Sequence, residues 1–576
     1  MESLSDTEWD VVISGTGLQH SLLALALSRS AKNILHVDEG DYYGGAEAAL
    51  SLPELDAWVA KHHHGDGDGD GNGNGSNGDE DGRVFSAARV AWPSQDEGAP
   101  QARGARGYSI ALAPQLIHAR AALLSQLVSS KAFRQVEFLA VGSFFVYQAR
   151  REPESPESPE STGAQEEGAE GNALHRIPST REDVFSNAAI PVRAKRALMK
   201  FLKFVLEHDS SDAHAALWRP RADEPLAAFL ASEFRLDAEL QAYVVALTLS
   251  LDGAISVVRG LAAIHRHLAS TGVFGPGFAA VYPKWGGLAE IAQVGCRAAA
   301  VGGAVYMLGV GVADVRTPGP EQQQQQQQQQ QLLGITLTND VAVKAKRLVH
   351  TTQPAPGAPR LTRLTAAVHA TLPSLFQPVV DGAPTPSVAV VAFPAGCSLE
   401  GSSPAHPVYA MVHSADTGEC PAGQCEYTRL RLASIHGRVS LSLSLSLSPP
   451  PYRTWKCVVY LSTLSSPTSR EILAKALAAL LSALPDTKDR RPDILFQLCY
   501  EQKGAPARGT AASAGARAKD GIFAFDLMPL DLAFDDAVLE PVRDAWDWIT
   551  DGSSDERGEY MNFKDREGVD EDDSAE

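Results

Sequence analysis

The sequence predicts an α/β fold with a mainly helical domain inserted into it. Three observations predict it. A βαβ pattern opens the chain, the hydrophobic period changes to that of helices between Pro114 and Ser270, and strand and turn signals return afterwards. The composition supports this reading. The 576 residues are 44% hydrophobic and 7% aromatic, enough for a large core, which excludes a collagen-like, mucin-like or wholly disordered chain.

In the opening pattern Trp9–Ser14 reads as a buried strand, Leu18–Ser30 as a helix with a nearly continuous apolar face, and Asn33–Asp38 as a second strand. Pro114 suits the first turn of a helix, and Gln115–Ser129 carries Leu116, Ile117, Leu123, Leu124, Leu127 and Val128 at helical spacing. A short strand is expected near Val141–Tyr147. The helical run continues through Val192–Glu207, Pro225–Ser232, Asp237–Ser250 and Ala254–Ala269. Strands then read at Ala279–Pro283, Val305–Leu308, Gly334–Thr338 and Ala342–His350, around one helix at Leu288–Val301. Further strands follow at Val388–Phe393, Val408–His413 and Trp455–Ser462, with helices at Ser469–Leu484 and Asp536–Ile549. The boundaries implied are a first part of domain I over 1–113, a helical domain II over 114–270, the rest of domain I over 271–550, and an acidic tail over 551–576.

Formal charge is −20, from 50 basic and 70 acidic residues. The segments Gly65–Gly82, Arg151–Gly171 and Asp551–Glu576 hold the whole excess, so the acidity belongs to solvated loops and a tail. The tracts 61–82, 93–107, 151–171 and 504–519, the Gln322–Gln331 run and the tail are too polar to repay the entropy of ordering, and are expected to be disordered. Ser440–Ser448 alternates Ser and Leu, which fits a half-buried strand and equally a low-complexity insertion. No basic block points to nucleic acid. Six cysteines (Cys296, Cys397, Cys420, Cys425, Cys457 and Cys499) are too few for a disulfide framework. Met1–Asp10 predicts no signal peptide, no run of about 20 apolar residues predicts a membrane span, and the C-terminal residues carry no lipidation box. A cytoplasmic chain is expected.

The strongest local motif is Gly15-Thr16-Gly17-Leu18-Gln19-His20, between strand and helix. In a dinucleotide site three glycines allow a tight turn, close approach to pyrophosphate and close helix packing. Here bulky His20 stands third, while Asp38 ends the second strand where a ribose-binding acid would be. The expectation is an inherited scaffold without a cofactor; a working flavin site is the less favoured alternative. Asp41-Tyr42-Tyr43-Gly44-Gly45 follows, its tyrosines either packing or a recognition surface. Tyr282-Pro283-Lys284-Trp285-Gly286-Gly287 leads into a helix on which Glu290, Gln293 and Arg297 share one face, either solvated or binding. His62-His63-His64 sits in a Gly/Asp tract and reads as a disordered run rather than a metal site. Cys420 and Cys425 lack a second ligand pair. No nucleophile with its base is apparent.

These residues resemble the Rab GDP-dissociation inhibitor and Rab escort protein superfamily. Leu35–Asp38 through Asp41–Gly45 resembles its first signature, and Tyr282–Arg297 with Gly302–Leu308 its second. Gly142–Tyr147 and Ile177–Thr180 fall between them in the right order. The resemblance implies a large flavin-oxidoreductase-like domain that holds no flavin, with an inserted helical domain. It implies a platform for GDP-bound Rab GTPases made of Tyr43, Glu290, Gln293, Arg297 and Met307. Val305 stands where relatives often have Thr, removing one hydrogen bond. In the escort branch the helical domain also docks the α subunit of the Rab geranylgeranyltransferase heterodimer, through a Phe and an Arg that match Phe185 and Arg196. Phe185 alternatively caps the helical core. Leu198, Phe201, Leu202 and Val205 are candidate walls for a geranylgeranyl lipid, or plain core. Phe185, the acidic insertions and the extended C-terminal region favour the escort branch. The function implied is that of a non-catalytic accessory component of Rab geranylgeranyltransferase, with transient membrane contact. The alternatives are an inhibitor that extracts prenylated Rab, and a flavin-dependent oxidoreductase.

Overall fold

The computed structural model describes residues 4–63, 83–93, 107–149, 173–178, 184, 191–317, 332–380, 382–421, 456–487, 491–505, 518–551 and 560–564. Phe185, Gln322–Gln331 and Ser440–Ser448 lie outside the described residues.

The β-branched, wholly apolar run Val11-Val12-Ile13 has no polar side to give to water, so it is buried on both faces as a central parallel strand. Val11–Ser14 pairs parallel with Ile34–Asp38 on one side and Leu348–Thr351 on the other. Val305–Leu308 and Ile522–Phe525 form the two edges of this five-stranded sheet. On one face lies the helix Leu18–Leu27, buried at every position, packed between the helices Leu288–Val301 and Leu539–Thr550. On the other lies a four-stranded sheet of Glu8–Trp9, Ala342–Ala345, Leu333–Leu337 and Val312–Arg316. The expected strand Ala342–His350 is therefore two strands, one in each sheet. The chain passes between them at Lys346, which donates to Trp9 O and, through Nζ, to Asp10 Oδ1 at 2.8 Å.

A ten-stranded sheet forms the second layer system. Its central strand Val388–Phe393 alternates between two cores. Val388, Val390 and Ala392 face the helical segment, while Ala389, Val391 and Phe393 face the helix Ser469–Ala483. The strands Arg360–Val368 and Ile494–Lys503 lie well inside this sheet, and the hydrophobic pattern does not announce either.

The expected helix Gln115–Ser129 is corrected. Ile117–His118 is a short strand against Ala280–Val281, and the helix starts at Ala122. The expected strand near Val141 is longer, Phe138–Gln148, and belongs to the large sheet. Leu116 and Ile117 are buried by sheet pairing, so their apolar spacing imitated a helix. The continuous helical segment, Val192–Glu207, Asp212–Trp218, Leu226–Phe234, Ala238–Leu247 and Val257–Ser270, starts at Val192. It covers one face of the large sheet, with Phe201, Phe204, Phe229 and Phe234 clustered ring to ring.

Two expected disordered tracts are shortened. Lys61 and His62 end the helix Leu52–His62, where the His62 ring stacks on Trp58 at 4.6 Å. That helix opens with a capping box, Ser51 and Glu54 satisfying each other's backbone N–H groups. Residues 560–564 are likewise not a free tail. Met561 and Phe563 are buried against the first helix's core, Phe563 N donates to Ser129 O at 3.0 Å, and Arg29 lies over the Phe563 ring. Two buried apolar side chains thus dock a short piece of an acidic stretch. Among the described residues no helix is long and apolar enough to cross a membrane.

Candidate functional site

The turn Gly15–Leu18 joins the central strand to the first helix. Gly15 adopts φ +109°, the tight turn its position predicts. The carboxylate of Asp38 turns inward. Its Oδ2 accepts both the N–H and the hydroxyl of Thr16 at 2.6 Å, and its Oδ1 accepts Gly40 N at 2.7 Å. Burial raises the Asp38 pKa, opposed by these hydrogen bonds. Glu47 reaches in from the next loop and accepts Leu18 N at 3.0 Å. Burial pushes its carboxyl up to about 7, and the Leu18 N–H acts in the opposite direction. His20 fills the space beneath, edge-on to Phe525, and burial depresses its pKa to about 3. The N–H groups of Thr16 and Leu18, which would meet a pyrophosphate, are already satisfied by the chain's own acids. The residues present do not fit a dinucleotide.

Beside this turn the structure brings Tyr43 against Tyr306, ring centroids 6.0 Å apart. Tyr306 also lies over His36, whose Nε2 is 2.6 Å from Gly15 O. Met307 is the next residue along the outer strand of the parallel sheet, opposite Val37, and is partly buried. The helix Leu288–Val301 runs into that strand through Ala304 N donating to Ala299 O. Its Glu290 and Gln293 are half-buried and Arg297 is exposed. Burial raises the Glu290 pKa, and the charge of Arg297 acts to lower it. Among the described residues no ion pair holds this trio.

Close packing places this helix. A Cβ on Gly295 would lie 2.5 Å from Ser21 O, and one on Gly302 would lie 2.1 Å from Ser28 O. Seven residues apart, these glycines let the helix lie backbone-to-backbone on the first helix. Buried Glu419 anchors the segment before it, accepting from Tyr282 Oη at 2.7 Å and Tyr460 Oη at 2.9 Å, with His413 Nδ1 2.7 Å away. Trp285 follows at φ +73°, unusual for a bulky residue, and is 52% exposed. Its N–H donates to Thr417 O, its carbonyl accepts from Ser109 Oγ, and its ring lies on Gly418. Sequence reasoning missed Trp285, Tyr306, Glu47 and the inward turn of Asp38. The glycine spacing on the helix was the available signal for its depth.

The other expected residues that are described all lie on one helix, Val192–Glu207. Arg196 is exposed on Val192–Glu207, and Phe185 lies outside the described residues. Leu198, Phe201 and Val205 are buried in the core and Leu202 packs at its margin. A small cleft opens between the strand Phe138–Gln148 and the helical segment. Phe144, Ile177, Leu247, His267, Phe278 and Val379 line it, and none of those four residues does.

The family model described as GDP dissociation inhibitor matches residues 5–75 and 90–392. The chain belongs to the GDP dissociation inhibitor family. Both signature segments and the βα turn fall within the match. A Rab GDI of Plasmodium falciparum, solved as a crystal structure, shares the fold: TM-score 0.57 at 16% identity, covering 94% of this chain and 97% of that one. The chain is 29% identical over 300 residues to a protein of Saccharomyces cerevisiae named Rab proteins geranylgeranyltransferase component A, covering 52% of this chain and 43% of the yeast protein. It is 26% identical over 320 residues to component A 1 of Caenorhabditis elegans, covering 52% of this chain and 58% of that protein. The chain thus spans about half the length of these curated relatives.

Proposed function

We propose that this protein is a Rab escort protein, the accessory component A of Rab geranylgeranyltransferase. It binds GDP-bound Rab GTPases through Tyr43, Glu290, Gln293, Arg297 and Met307, and presents their C-terminal cysteines to the catalytic heterodimer. It then shelters the geranylgeranyl product on its way to a membrane. The observation that carries the reading is the meeting of the two signature segments, with Tyr43 against the Tyr306-Met307 strand and the Glu290–Arg297 helix leading into it. The relatives' names support the escort branch over the inhibitor.

Arg196 and Phe185 dock the α subunit of the transferase in this reading. Leu198, Phe201, Leu202 and Val205 line a lipid path that opens when the helices part. Lipid burial contributes about 0.8 kcal/mol per methylene, enough to hold a chain and still release it. The protein itself performs no chemistry and takes no cofactor. The inhibitor reading shares the platform and does not need Phe185. The oxidoreductase reading is disfavoured by the two acids that occupy the βα turn.

Geranylgeranyl incorporation into a Rab by the heterodimer, with and without this protein, tests the proposal. Strong dependence on the protein is expected. No stimulation, with Rab binding retained, moves the reading to an inhibitor. Phe185→Ala is expected to abolish transferase docking and spare Rab binding; unchanged prenylation refutes that residue's role.

A further inference from the structure

A glycine-rich turn between strand and helix ordinarily leaves backbone N–H groups free for an anion. In this protein a neighbouring loop has closed over them. Glu47 is 4% exposed, and its Oε2 accepts Leu18 N at 3.0 Å. The same oxygen lies 3.2 Å from where a Cβ on Gly17 would be. Gly44 N donates to Thr16 Oγ1 at 3.1 Å, and that hydroxyl donates to Asp38. Gly45, at φ +52°, approaches so closely that a Cβ on it would lie 3.1 Å from Gly17 N. Glu47 N donates back to Gly44 O at 2.9 Å, closing a short turn. The loop that carries Tyr43 is thus bonded to the turn and start of the first helix by Gly44 and Glu47, with Gly45 packed against Gly17.

We propose that Glu47 is a positioning residue: its carboxyl has taken over the anion-binding turn and holds the 41–48 loop so that Tyr43 lies against Tyr306. The inference rests on the reading of Tyr43 as a Rab contact. A turn built for a ligand's phosphate has become an internal anchor for a protein-binding loop. Removing the carboxyl leaves the Leu18 N–H buried without a partner, a cost that falls on the loop rather than on the sheet.

Wild type, Glu47→Ala and Glu47→Gln full-length proteins test this by hydrogen exchange and by capture of a GDP-bound Rab. The Ala variant is expected to speed exchange at Leu18 and at 44–48 about tenfold and to weaken Rab capture about tenfold. The Gln variant keeps an acceptor oxygen in place and is expected to return both to within about threefold of wild type. Exchange in Leu288–Val301 is expected to stay unchanged in all three, which separates a loop effect from general unfolding. Equal exchange in the Ala variant and wild type overturns the anchor. A faster loop with unchanged Rab affinity overturns its link to Tyr43, and so does failure of Gln to restore capture. If wild type captures no Rab, the Rab reading itself has failed, and the exchange measurement still decides whether Glu47 anchors the loop.

Discussion

Two helices of this protein begin at glycine-rich turns that follow a strand, and they use those turns in opposite ways. At Gly15–Leu18 the acids come from elsewhere in the chain, Asp38 and Glu47, and point inward. At Gly286–Gly287 the first-turn acid is the helix's own Glu290, half-buried and without an ion pair among the described residues. The first turn is sealed and structural; the second keeps its acid half-buried with no ion pair among the described residues, as the proposed Rab contact requires. A glycine pair after a strand specifies a tight turn in both places. Burial and neighbours decide whether the helix end becomes an anchor or a contact surface.

The largest expected effect breaks the first half of that comparison. The folded chain holds the Glu47 carboxyl at about 7 against an ordinary 4.5. An acid raised in this way binds a proton more tightly when folded, so its contribution is complete below about pH 4.5 and is lost as pH rises to about 7. Across that window wild type is expected to lose about 3 kcal/mol relative to Glu47→Gln, read as the difference between their denaturation free energies at each pH. A difference that stays flat with pH would mean that the acid is not sealed in.

A smaller effect tests the depth of the second helix. Gly295→Ala drives a methyl into Ser21 O. Strain of about 3 kcal/mol is offset by about 1 kcal/mol of helix propensity, leaving a net loss of about 2 kcal/mol in chemical denaturation. An unchanged midpoint would show that the two helices separate freely. The smallest effect sharpens the contact surface. Val305 is exposed on the outer strand, at the position where the family resemblance implies a Thr, and in the proposed Rab-binding reading Val305→Thr is expected to strengthen Rab binding by about 1 kcal/mol, or severalfold, in a titration. Weaker binding would place Val305 in an apolar contact instead.

The legibility of the fold varied with how buried polarity was arranged. Leu288–Val301, Val305–Leu308, Val192–Glu207, Val388–Phe393 and Val408–His413 read correctly to the residue, because their apolar period is uninterrupted. Arg360–Val368 did not read at all. Its Thr362, Arg363 and Thr365 look like a surface segment, yet each is almost wholly buried. Arg363 is carried inside by Gln502 Oε1 at 2.6 Å and Ser462 Oγ at 3.0 Å, partners about 100 residues or more away. The helix Leu52–His62 was also missed, although Ser51 and Glu54 spell its capping box in four consecutive residues.

The candidate site divides in the same way. The amino-acid sequence by itself determined the parallel βαβ opening, the damaged glycine fingerprint, the family and the spacing of Glu290, Gln293 and Arg297. These are local patterns, and local sterics and hydrophobic period are enough to set them. Only the tertiary structure decided that Asp38 and Glu47 would plug the fingerprint turn, that Tyr43 would meet Tyr306, and that Gly295 and Gly302 would seat one helix on another. Each depends on atoms brought together across 20 to more than 270 positions of chain, and no local period records which distant partner will satisfy a buried polar group.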